Sequence, residues 1–410
     1  MLDAKPGLFG VSTYPIAPPL FGGSLRVFHL ARAYAAAFRV SYVTQKLRLP
    51  RLLRPERIDV APDFVEWQGC GFAGAAGSVG TRQLGVPQLA FGWTQGWVPP
   101  AARAAQRHAR LIVLEQPWSY RWARARRREG QLFVASTHNL ESDLFDADRM
   151  RMPRALGLFA KRLIATRECE ALLGADLVVA CAAEDGEAMI ERYGVPSERI
   201  VVVPNGVDVG SYRLVDPAQR ADAKRRLGLE GKRVVVFAGS WHPPNVKAVQ
   251  EILTIAASWL DPSTQFLIIG SVGRMFAEHR SSNVTFTHLV DDVRPYLEAG
   301  DVFLNPMREG SGSNIKLFEA MAAGLPTVST GFGARGVAVE AERHLRIAPP
   351  EAIGEALRSL LDDPVAGERL RTEARRLVEQ RYDWSRLGAG LTERLVELSR
   401  SDRGDRTFGA

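Results

Sequence analysis

The sequence predicts an α/β protein of two Rossmann-like, doubly wound domains facing one another across a cleft. Its 410 residues exceed what one core ordinarily serves, at roughly 100–200 residues per domain. Short runs rich in Val, Ile and Leu alternate with amphipathic stretches, as expected of parallel strands covered by helices on both faces. A break follows Pro204-Asn205-Gly206-Val207-Asp208, where turn-forming residues end a strand and a polar stretch precedes the next.

Residues 1–205 form the predicted first domain. Its strands are expected at 8–13, 40–45, 109–116, 131–137, 176–181 and 199–205, with helices in SLRVFHLARAYAAAF and RALGLFAKRLIATRECEALLG between them. Residues 206–382 form the second, with a linker near 206–230 and strands at 232–239, 264–270, 283–288, 301–306 and 326–330. A helix over 383–400 is expected to cross back to the first domain, and 401–410 reads as a flexible tail. In sheets of this kind, ligands sit beyond the carboxyl ends of the strands.

Composition narrows the class. Hydrophobic residues make up 46% and charged residues 24%, which is globular, and no stretch approaches the roughly 18–20 apolar residues of a membrane span. The start, MLDAKPGLFGVSTYP, lacks a cationic segment followed by a long apolar one, so a cytoplasmic protein is expected. Cys70, Cys169 and Cys181 have no metal spacing and read as small buried hydrophobes. The net charge of +7 arises in the first half, where Lys and Arg number 26 against 19 acids; beyond residue 205 the count is 27 against 27. The excess concentrates in KLRLPRLLRPER (46–57) and RWARARRRE (121–129), which interleave Arg with Leu or Trp. Such segments suit either a solvated surface or the inner face of an anionic membrane. No nucleic-acid-binding motif accompanies them, so no nucleic acid partner is expected.

The segment MREGSGSNIKLFEAMAAGLP (307–326) passes from a polar loop into an apolar helix. Ser313 and Asn314 stand where that helix should start, as plausible caps, and a helix N-terminus is an anion site. Lys316 adds a full charge in the first turn. Glu319, at i+3, shares its face, and a carboxylate there can accept two hydroxyl hydrogen bonds from a ribose. An ordinary surface Lys–Glu pair is the alternative on spacing alone.

Together with VVVPNGVD, FAGSWHPPN, NVTFTHLVDDVRPYLEAGDVFLNP and PPLFGGSLRVFHLARAYA, this segment resembles the GT-B retaining glycosyltransferases of the family-4, or group 1, type, over nearly the whole chain and in the family's order. The resemblance implies that Glu319, the late Glu of a Glu-x7-Glu signature, binds the nucleotide ribose, and that Lys316 faces phosphate. It implies that the amides of Gly312 and Ser313 lie near the diphosphate and sugar. Ser311 stands where the early Glu would be, and Glu309 is two residues too early, which leaves the sugar open. An Arg and a Lys that many relatives direct at the diphosphate are replaced by Ser240 and Pro244. The compensating charge would come from Lys316, the Ser313-Asn314 helix start, and Arg274 or Arg335. His242 and Asn245 keep that loop polar, with Asn245 expected to cap the following helix. Leu289, in HLVDD, joins the donor-binding set. Gly22-Gly23, before Ser24, resembles the family's Gly-rich loop near the diphosphate, and His138 matches a His that contacts the transferred sugar.

The implied reaction is sugar transfer with retention from a nucleotide-sugar, UDP- or GDP-linked, to an acceptor hydroxyl in polysaccharide or glycolipid synthesis. No cofactor is expected, and no Asp-x-Asp pair is placed for a metal; Asp291-Asp292 read as a helix opening. The acceptor could be a carbohydrate, a lipid-linked sugar or a small molecule. Two alternatives stay open: a non-catalytic binding or scaffold subunit, suggested by Ser311, Ser240 and Pro244, and a sugar-nucleotide epimerase, which would need further acid/base groups near His138.

Overall fold

A computed structural model describes residues 5–46, 55–69, 98–145, 153–310 and 314–400. The chain divides into two compact units: one runs to Pro204 and resumes at Ser385, the other is Asn205–Trp384. The first contains β1 Gly7–Ser12, β2 Arg39–Gln45, β3 Glu56–Ala61, β4 Phe64–Gly69, β5 Ala109–Leu114, β6 Leu132–Ser136, β7 Leu177–Ala180 and β8 Ile200–Val202. Their order is β3-β4-β2-β1-β5-β6-β7-β8, parallel except where β3 meets β4.

The second unit contains β9 Arg233–Ala238, β10 Thr264–Ile269, β11 Val284–Phe286, β12 Val302–Asn305, β13 Thr327–Ser329 and β14 Arg346–Ile347. Their order is β11-β10-β9-β12-β13-β14, parallel throughout. Alternate residues of β9 serve opposite cores. Val235 and Phe237 pack with Val249, Ile252 and Leu357, whereas Val234 and Val236 pack with Leu297, Ala320 and Leu325. Burial of both faces is why these strands are uniformly apolar.

In each sheet the chain winds one way from a central strand and later the other way, so a switch point lies between β1 and β5 and another between β9 and β12. Such points leave a crevice at the carboxyl ends of the strands.

The expected strands all form, with ends shifted by at most three residues. The β3–β4 hairpin and the two-residue β14 were not foreseen. β3 alternates exposed and half-buried positions at the sheet edge, and Arg57 lies over the Trp67 ring at 5.8 Å, so the end of the first basic segment belongs to a strand. Residues 47–54 of that segment, Cys70 and the tail 401–410 lie outside the described residues. In the second basic segment, Arg121 Nε donates to Glu170 at 2.7 Å and Arg127 pairs with Asp176 at 3.6 Å. The helix Trp384–Arg400 lies on the first unit: Gly388 sits against Ala33, and Arg110 Nε donates to the Ser399 carbonyl at 2.9 Å. Among the described residues, no helix is long and apolar enough to cross a membrane.

Candidate functional site

In the second unit, the loop after β9 enters the helix Pro243–Ala257. Pro243 and Pro244 fill its first two positions, where the missing amide costs nothing and φ is already helical. His242 is therefore the N-cap residue and Asn245 the third helical residue, which corrects the expectation that Asn245 caps this helix. The Asn245 side chain instead joins the loop after β9 to Lys316. Its Nδ2 donates to the Ser240 carbonyl at 3.0 Å and reaches Ser240 Oγ at 3.3 Å, while its Oδ1 accepts from Lys316 Nζ.

Lys316 arrives from β12. Ser311, Gly312 and Ser313 lie outside the described residues, and the chain resumes at Asn314, the N-cap position of the helix Ile315–Ala322. The Asn314 side chain makes no capping bond, which corrects that expectation too. Its Nδ2 turns to Asn305 Oδ1 at 3.3 Å, because the buried Asn305 that ends β12 offers a fixed acceptor there.

Lys316 and Glu319 do not form the surface pair that spacing allows. Lys316 Nζ contacts Asn245, lies 3.7 Å from Met307 Sδ and sits 4.9 Å from the centre of the Phe237 ring. None of these contacts is a carboxylate. Burial pushes the Lys316 ammonium down to about 7, with Glu319 opposing. Glu319 turns the other way, and its Oε1 accepts from the Tyr212 hydroxyl at 3.1 Å. Burial raises the Glu319 carboxyl against the pull of Tyr212 and Lys316; burial and then Glu319 raise the Tyr212 hydroxyl.

These groups sit at the β9/β12 switch point. Arg274 is exposed in the turn Ser271–Phe276 after β10, where Ser271 Oγ accepts from the Trp241 amide at 3.1 Å. Leu289 is exposed in the loop after β11, one residue beyond His288. Neither joins the Lys316–Asn245 cluster through a side-chain contact. Glu309 is engaged by Lys247 at 2.6 Å, so it faces the helix Pro243–Ala257. Asp292 Oδ1 accepts from the Arg294 amide at 2.9 Å, opening the helix Arg294–Glu298.

The remaining expected residues belong to the first unit, at the carboxyl ends of β1 and β6. The helix Gly22–Tyr34 starts at Gly22, and a Cβ on Gly23 would stand 2.6 Å from the Tyr14 hydroxyl, so only glycine lets the loop and Tyr14 approach this closely. His138 Nε2 lies 3.3 Å from Glu115 Oε2, and the Tyr14 ring is edge-on to the imidazole with centroids 6.2 Å apart. Glu115 is buried and its Oε1 accepts from Tyr42 at 2.7 Å. Burial raises the Tyr14 and Tyr42 hydroxyls, with Glu115 adding to both, and burial with Glu168 pushes the Glu141 carboxyl up to about 7.

Tyr42 reaches Glu115 across β1 only because residue 10 is glycine: a Cβ there would meet the Tyr42 ring at 2.2 Å. Gly10→Ala is expected to cost about 1–3 kcal/mol through overpacking, read as a lower denaturant midpoint with unchanged slope. An unchanged midpoint would mean that the ring relocates freely.

Sequence reasoning missed Tyr212, Met307 and Phe237 around the Lys316–Glu319 helix, and Glu115, Tyr14 and Tyr42 around His138. Only Glu115 left a trace, as an acid at the end of an apolar strand.

Residues 21–211 match the family described as Glycosyltransferase Family 4, and residues 232–363 the family described as Glycosyl transferases group 1. Over 299 residues the chain is 30% identical to the D-inositol 3-phosphate glycosyltransferase of Rhodococcus jostii (strain RHA1), covering 66% of this chain and 62% of that protein. The chain spans about 50–62% of the length of the curated relatives it matches. The sucrose-phosphate synthase structure from Thermosynechococcus elongatus shares the fold at a TM-score of 0.74 and 20% identity, over 96% of this chain and 99% of that one. Anabaena HepE, solved in complex with UDP-glucose, does so at 0.67 and 16%, over 95% and 100%.

Proposed function

Because the chain belongs to the GT-B glycosyltransferases of the group 1, family 4 type, we propose that it moves a sugar from a nucleotide-sugar to an acceptor hydroxyl with retention at the anomeric carbon. The observation that carries this reading is Lys316 at the β9/β12 switch point, a half-buried cation that, among the described residues, contacts Asn245, Met307 and Phe237 and hydrogen-bonds no carboxylate. Lys316 meets the donor diphosphate there and stabilises the charge that develops as it leaves. Glu319, held by Tyr212, accepts from the ribose hydroxyls. The bond from the anomeric carbon to the diphosphate oxygen breaks, the acceptor oxygen bonds to the same face of the sugar, and the acceptor proton passes to the departing phosphate. No resident metal takes part.

His138 contacts the sugar, with Glu115 fixing the imidazole. The nucleotide is UDP or GDP; HepE, with the same fold, was solved holding UDP-glucose. The product belongs to polysaccharide or glycolipid synthesis, at the cytoplasmic face of a membrane when the acceptor is lipid-linked.

The reading makes donor binding depend on pH. In the free protein the Lys316 ammonium titrates at about 7, and a bound diphosphate raises that value. Binding at neutral pH should therefore take up a fraction of a proton, and donor affinity should fall as pH rises above 7, by at most about tenfold per unit. Calorimetry of UDP- and GDP-sugars in buffers of different ionisation enthalpy measures the uptake. Binding without proton uptake between pH 6 and 8 would count against Lys316 as the diphosphate cation.

A further inference from the structure

A pocket of about 480 Å3 opens in the first unit, and four of the side chains around it are arginines. Arg103 and Arg107 come from the helix Pro100–His108; Arg126 and Arg128 follow the short helix Tyr120–Arg124. Gln106 and Trp122 also line it. Gln131 ties the two segments together, its Nε2 donating to the Gln106 carbonyl at 2.8 Å and the Ala109 carbonyl at 3.1 Å. Residues 109 and 131 stand at the amino ends of β5 and β6, whereas His138 follows the carboxyl end of β6. This pocket and the His138 corner therefore lie at opposite ends of the strands.

Few carboxylates stand near it among the described residues. No acidic residue occurs between Glu66 and Glu115, so the segment supplying Arg103 and Arg107 brings no carboxylate. In the second segment, the nearby acids already serve other arginines: Glu170 binds Arg121 and Arg167, and Asp176 binds Arg127. Glu129 is the one acid within residues 121–129, and it is exposed. Arg126 is laid over the Trp122 ring at 5.2 Å, which orients its guanidinium plane. Like charges that line one pocket repel one another wherever they stand within a Debye length, ~8 Å at physiological salt. A multiply charged anion relieves that repulsion, and guanidinium forks match phosphate oxygens in pairs.

We infer that this pocket binds a phosphate-bearing anion, separately from the donor. Two sources offer that chemistry: the headgroup of an anionic lipid, which would turn the membrane-suited segment 121–129 into a defined anchoring point, and a soluble phosphoester.

The test uses the full chain carrying Lys316→Met, so that the donor side does not enter the readout. Inorganic pyrophosphate binding is measured by calorimetry, and co-sedimentation with phosphatidylglycerol/phosphatidylcholine vesicles is compared with phosphatidylcholine alone. At least one of the two probes is expected to bind, more weakly as salt rises, and to lose at least tenfold in affinity in R107Q/R128Q. Vesicle capture assigns the lipid source; pyrophosphate binding without capture assigns the soluble one. The off-pocket control K161Q/R162Q, at exposed positions, is expected to bind as the parent does. Failure of both probes to bind the parent, unchanged affinity in R107Q/R128Q, or an equal loss in K161Q/R162Q would overturn the proposal.

Discussion

Lys316→Met is expected to stabilise the ligand-free protein while lowering sugar transfer by about 100- to 1000-fold, the range seen when a preorganised charge-stabilising group is removed. Two effects oppose each other in stability. Loss of the ammonium leaves Asn245 Oδ1 without that donor, at about 1–2 kcal/mol. Against this, burial depresses the ammonium from its ordinary 10.5 to about 7, which at roughly 1.4 kcal/mol per unit is a penalty of several kcal/mol at neutral pH. A thioether of similar length beside Met307 and Phe237 carries no such penalty. The balance should raise Tm by a few degrees.

The sign can be followed with pH. The folded value lies below the unfolded one, so between about 7 and 10.5 the unfolded chain binds more protons, and wild-type stability climbs relative to the variant as pH rises. Thermal melts of both proteins at pH 7 and pH 9.5 measure this. A variant less stable at pH 7, with an unchanged gap at pH 9.5, would show that the ammonium stabilises the helix start without ligand.

Glu319→Gln should act on the nucleotide alone. A carboxylate accepts from two ribose hydroxyls at about 1.5–3 kcal/mol per charged hydrogen bond, whereas an amide offers one acceptor oxygen. Donor affinity should fall by about 10- to 100-fold. The same loss should be absent for a 2′,3′-dideoxy nucleotide, which presents no diol. Tyr212→Phe, which removes the group holding Glu319, should have a smaller effect of the same kind. Equal losses for ribo- and dideoxy-nucleotides would place the effect of Glu319 in folding.

The contrast between what the sequence revealed and what it hid follows from the range of the interactions. Strands such as Arg233–Ala238 were legible because burial on both faces demands an unbroken apolar run. The β3–β4 hairpin was not, since an edge strand with one wet face tolerates Arg57 and Asp59 in a segment that otherwise reads as a basic surface. Lys316 and Glu319 were legible as a charged pair opening a helix. Their partners were not: Asn245 lies 71 residues before Lys316 and Tyr212 lies 107 before Glu319, and spacing carries no information over such separations. Asn245 was misread for a local reason, because the prolines before it start the helix three residues earlier than a capping preference suggests. Glu115, the group behind His138, needed Gly10 to be seen as an opening for Tyr42.

The central claim is that the β9/β12 switch point is the donor site. The most direct measurement is a calorimetric panel of UDP-, GDP- and other nucleotide-sugars on the wild type and on the Lys316→Met/Glu319→Gln double variant. At least one should bind the wild type and lose at least 100-fold in affinity in the double variant. Absence of binding by every nucleotide-sugar, or equal binding by the two proteins, would contradict the account.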